Sequence, residues 1–75
     1  MPRYFFNVHH HSQGRDTEGE ELPDDAAAWR EATIITGELF KGIDGGFQPG
    51  QQWQLEVTDA RRNPIYILRI IAEEM

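Results

Sequence analysis

The first residues alternate along the chain. Tyr4, Phe6 and Val8 fall on one side of an extended backbone and Phe5, Asn7 and His9 on the other, which predicts a strand whose first set faces the core. Residues 10–14 contain Ser12 and Gly14 and predict a hairpin loop, after which residues 15–18 return as a short polar strand that Gly19 ends. From Asp24 the period lengthens to that of a helix. Ala28, Ala32, Ile35 and Leu39 then lie within about 60° of one another, and Trp29, Thr36 and Phe40 widen the stripe to roughly 140°. Asp24 is the expected N-cap and Gly42 the expected left-handed C-cap, with Gly37 and Ile34 out of keeping with the stripe. Residues 43–51 hold Gly45-Gly46 and Pro49-Gly50 and predict a loop anchored by Phe47. Alternation resumes in residues 52–58, with Trp53, Leu55 and Val57 inward. After a turn at residues 59–64, residues 65–71 are apolar on both faces, as in a central or doubly covered strand. The prediction is a single α+β domain over residues 1–75, β-β-α-β-β, with an antiparallel three- to four-stranded sheet, one helix packed on one face, and a frayed tail at residues 72–75.

Composition narrows what such a domain can do. Seventy-five residues without cysteine have neither disulfide nor thiolate metal site, so stability rests on a small core and a homodimer that buries more surface is plausible. A formal charge of -6 repels phosphate backbones and anionic membranes, and the adjacent Arg61 and Arg62 sit in a turn, so neither nucleic acid nor a membrane is expected as a partner. No apolar run has the length of a signal peptide or a membrane span, and the cytoplasm is the expected compartment.

Candidate chemistry is sparse. His9 and His11 would share a face if the first strand continued, with Asp16 or Glu18 across the hairpin as an oxygen ligand, so they are the candidate metal ligands. Without a second histidine pair at helical spacing, solvent-exposed loop histidines are the preferred reading, and neither metal nor cofactor is expected. The carboxylates between Asp16 and Asp25 lack the alternating spacing of a calcium loop and the apolar setting that raises a catalytic carboxyl. Gly42, Gly45 and Gly46 follow a helix, whereas phosphate-cradling loops precede one. Ser12, Thr33, Thr36 and Thr58 have no general base in any local motif. No catalytic residue or small-molecule substrate is therefore identified, and no enzyme activity is expected. What remains is apolar: Phe5, Ile65, Ile67 and Ile71 would gather on the sheet face away from the helix, an interaction face for a protein partner or a second copy.

Taken together, the opening Met1-Pro2-Arg3-Tyr4-Phe5-Phe6-Asn7-Val8, the Asp16-x-Glu18-Gly19-x-Glu21-Leu22-Pro23-Asp24 block, the helix with Glu31-Ala32 and Glu38-Leu39, and Glu56-Val57-Thr58-Asp59 resemble a family of short bacterial proteins of unknown function. In that family the late hairpin usually carries a glycine near its tip, where this chain has residues 60–64, Ala-Arg-Arg-Asn-Pro. The resemblance implies a shape and no activity. Residues 18–39 also bear a fainter likeness to HicB-like antitoxins, which implies an alternative role as an acidic regulatory protein binding a basic partner.

Overall fold

Two alternating segments build the centre of the sheet. The computed structural model describes residues 2–10, 12–42 and 47–75. Its elements are β1 (Arg3–His10), β2 (Ser12–Gly14), β3 (Glu20–Glu21), α1 (Asp25–Lys41), β4 (Gln52–Thr58) and β5 (Pro64–Ile71). Antiparallel pairing orders the sheet β2-β1-β4-β5, with β3 also on β1. β1 and β4 run in register from Phe5↔Thr58 to His9↔Gln54, which aligns their apolar sets on one face. That face carries α1, and Tyr4, Ala28, Ala32, Trp53, Leu55 and Val57 form the buried cluster between the layers. The predicted α+β architecture is the one adopted.

Small residues let the helix come close. Ala28 and Ala32 are fully buried, while the larger Ile35 and Phe40 pack partly buried around them. The Asp24 side chain accepts from the Ala27 N–H at 2.9 Å, the expected N-cap. Phe40 sets its ring edge-on to Trp53 and Phe47, at 5.1 and 5.5 Å, so Phe47 is the anchor its position suggests. Tyr4 passes under the helix start and donates to Asp25 at 2.8 Å. Burial, that bond and the carboxylates of Asp25 and Asp24 push its phenol up to about 12.

Four expectations are corrected. Residues 15–18 are not a strand: β2 forms earlier, at Ser12–Gly14, and the return to β1 resumes only at Glu20–Glu21. Gly42 ends the helix with φ -90°, in the right-handed region, its N–H bonding the Leu39 and Phe40 carbonyls. Ala72 is not frayed, because its N–H reaches the Gln51 carbonyl at 3.2 Å and its carbonyl takes the Gly50 N–H at 2.7 Å. Most consequentially, β5 is not central. Among the described residues it pairs with β4 alone and forms one edge of the sheet.

Candidate functional site

The sheet face away from the helix is divided between a covered corner and an open strip. At the corner, Phe5 and Thr58 are cross-strand partners, and Arg62 lies over them with its guanidinium 3.6 Å from the Phe5 ring centroid. Arg62 reaches this place because its backbone adopts φ +67°, the left-handed turn conformation glycine ordinarily supplies. The turn is held by Asp59, whose carboxylate accepts from the N–H groups of Arg61 and Asn63, both at 2.9 Å. Those bonds, the Asn63 one foremost, outweigh burial and keep the Asp59 carboxyl below its ordinary range.

Asp16 completes the corner. Its carboxylate accepts from the backbone N–H groups of Phe6, Glu18 and Gly19 at 3.1 to 3.2 Å. Its own N–H donates to Asn7 Oδ1 at 2.8 Å, and its carbonyl accepts from Arg62 Nη1 at 2.9 Å. Burial draws the carboxyl pKa up, but the bonds from Gly19, Phe6 and Glu18, with the Arg62 charge, prevail and hold it low. Gly19 must be glycine. Its φ is +73°, and a Cβ there would meet Arg3 Cγ, Phe5 Cε1 and the Tyr4 carbonyl at 2.9 Å.

Asp16 thereby stands in for a strand. Alternate residues of β1 present their backbone groups to the same edge. On that edge Val8 and His10 pair with β2, the Phe6 N–H goes to Asp16, Tyr4 pairs with β3, and the Pro2 carbonyl takes the Leu22 N–H at 3.0 Å. Arg3 adds an exposed ion pair to Glu21 at 3.2 Å and a bond to the Glu18 carbonyl. The carboxylate-rich block, which has the spacing of neither a calcium loop nor a catalytic pair, therefore closes one side of the sheet.

The predicted interaction face must be redrawn accordingly. Phe5 is 8% exposed beneath Arg62 and does not belong to it. Ile65 is the unpaired residue of a bulge between Val57 and Thr58 and packs partly against the core. Ile67 and Ile71 remain, 46% and 56% exposed on β5. A shallow hollow beside them is lined by Glu56, Pro64, Ile65, Tyr66 and Ile67. Trp29, 41% exposed, sets its ring at 49° to that of Tyr66, with centroids 5.2 Å apart, and extends apolar surface around the same edge.

The metal candidates among the described residues, His9, Asp16 and Glu18, do not form a ligand cluster. His9 sits opposite Gln54 on the open face. Asp16 is committed to the backbone beside Phe6, and His11 lies outside the described residues, as do Gly45 and Gly46. Among the described residues no three His, Asp or Glu side chains converge as a metal site would require, and no helix is long and apolar enough to cross a membrane. Sequence reading missed Arg62, whose position in the turn gave no sign that its side chain folds back over β1. It also missed the burial of Thr58, whose Oγ1 has no hydrogen-bond partner among the described residues.

These features define a small antiparallel α+β domain with one helix and one sheltered sheet edge. The chain belongs to the family described as Domain of unknown function (DUF6894), whose model matches residues 3–72. No curated protein and no solved structure matches it.

Proposed function

We propose that the chain is a small, non-enzymatic protein-interaction module that offers β5 to another polypeptide. The observation carrying this reading is that an eight-residue strand, apolar on both faces, has among the described residues a neighbour on one side only. An edge strand of this kind is ordinarily shortened, bulged away or guarded by charge, because its free N–H and C=O groups invite a further strand. β5 has Pro64 at its start and Arg69 as its one charge, with Ile67 and Ile71 half exposed on the face below. Main-chain bonds would give such an encounter its affinity and the isoleucines its specificity.

The test is photo-cross-linking in living cells. A photoreactive amino acid replacing Ile67 is expected to give a covalent polypeptide adduct, whereas one replacing Thr33, exposed on the helix, gives none. Absence of any adduct at position 67 overturns the reading.

A further inference from the structure

We infer that the strand seated on β5 is β5 of a second copy of this chain, paired antiparallel about Leu68. The inference rests on the reading above and adds the partner's identity. Its basis is the direction of the free backbone groups. Ala72 turns its N–H and C=O toward the segment that enters β4. By alternation Ile70 and Leu68 turn theirs inward, and Ile71, Arg69 and Ile67 turn theirs out. Two copies related by a two-fold axis can match these outward groups in five registers, centred on residues 67 to 71, and those centred on Ile70 and Ile71 overlap three residues of β5 or fewer, which leaves three.

Charge and length choose among the three. Centring the axis on Arg69 sets two arginines face to face, a destabilising cross-strand pair. Centring it on Ile67 leaves Ile71 beyond the partner's strand and sets Arg69 against Ile65, the bulged residue. Centring it on Leu68 spans residues 65–71 and sets the bulged Ile65 against an apolar residue in place of an arginine: Leu68 meets its own copy, Tyr66 meets Ile70, Ile65 meets Ile71, and Ile67 meets Arg69. Every pair but the last is apolar on both sides. That last pair has a further complement. Glu56 is the β4 neighbour of Ile67, so Arg69 of the second copy points across Ile67 toward Glu56. Two strand spacings separate their backbones, about 10 Å, within the combined reach of the two side chains. Within one chain, Glu56 and Arg69 take part in no ion pair among the described residues. The two-fold would satisfy both, twice. None of the chain's 13 acidic residues lies in β5, so the contact avoids the charge that elsewhere repels a second copy. The chain also exposes 5268 Å², about 500 Å² more than a compact monomer of its mass, which leaves surface for association to cover.

This register makes an unusual demand on the sign of a substitution at position 67. Light scattering on the full chain at tens of micromolar is expected to give twice the 8.7 kDa chain mass. Ile67→Lys faces Arg69 and is expected to return the mass to that of one chain, while Ile67→Glu faces the same arginine and keeps the doubled mass. A monomeric unsubstituted chain overturns the inference, and so does equal loss with lysine and glutamate, which would mark a merely greasy contact. Position 67 is half exposed, so both variants fold, as circular dichroism checks. Independently of any variant, hydrogen exchange at the amides of Ile67, Arg69 and Ile71 is expected to slow as concentration rises, and concentration-independent exchange overturns the pairing. If the chain is monomeric and the adduct at position 67 is a different polypeptide, the second copy is excluded and the interaction reading stands. With no adduct at all, both fall.

Discussion

The two edges of this sheet are treated in opposite ways. On the β1 side the partners are fragments: three residues of β2, one carboxylate, two residues of β3. They are polar, and they are locked by Asp16, Arg3 and Arg62 through bonds that cross long stretches of chain. On the β5 side a longer, nearly uncharged strand is left with one neighbour. The difference teaches that closing an edge does not need a strand: any acceptor at the right height ends the ladder. On the β5 edge such devices are confined to Pro64 and the bulge at Ile65 at the strand's start and to Arg69, which leaves most of residues 66–71 open to a further strand. One bare edge also sets a limit. A two-fold through β5 would consume it and association would stop at a dimer, whereas two bare edges would permit open-ended growth.

Removing the lock is therefore the severest way to break the comparison. Asp16→Ala deprives three backbone N–H groups of their acceptor and is expected to cost about 3 kcal/mol, measured by urea denaturation. It should also uncover the β1 edge, so that light scattering detects species larger than two chains. The same carboxylate gives the chain an acid limit. Its folded pKa lies below the unfolded value near 3.9, so its stabilisation is complete above that value and is lost as pH falls through the folded one. The unsubstituted chain should lose stability below about pH 4, and Asp16→Ala should flatten that slope. Gly19→Ala attacks the same corner more gently. A positive φ and a Cβ 2.9 Å from the Tyr4 carbonyl predict a cost of about 2 kcal/mol, read in the same titration.

How much of this was legible in the sequence follows from the range of each interaction. The strands at Tyr4, Phe6, Val8 and at Trp53, Leu55, Val57, and the cap at Asp24, depend on neighbours a few residues away and were legible for that reason. Strand order was not, because a run such as Ile65 to Ile71 reads alike whether sheet or partner covers it. The corner was hidden for the same cause. Asp16 meets Phe6, and Arg62 meets Asp16, across 10 and 46 residues. Such contacts leave no period, and aspartate in an acidic loop or arginine in a turn looks solvated. Phe5 was accordingly expected to be open on the face away from the helix, where Arg62 covers it.

Thr58 sharpens the comparison from inside the closed corner. It is 2% exposed, and its hydroxyl is buried without a partner among the described residues. A buried hydroxyl that bonds nothing costs free energy which a methyl of the same shape would not. Thr58→Val is expected to stabilise the chain by about 1 kcal/mol and leave the β5 edge as it was. A loss of stability would show instead that the hydroxyl finds a partner in solution.

The smallest effect separates stability from edges altogether. Gly37 lies inside α1, and a Cβ built there meets nothing within 4 Å. Its φ is not positive, so alanine fits the helix unstrained and removes the backbone entropy that glycine loses on folding. Gly37→Ala should raise stability by about 0.8 kcal/mol. Because the site touches neither edge, the dimer's dissociation constant should stay the same when measured well below the unfolding transition. If assembly tightened with this variant, association would be following the population of folded chain. The bare edge would then be one consequence of marginal stability, and its contrast with the closed edge would carry no information about partners.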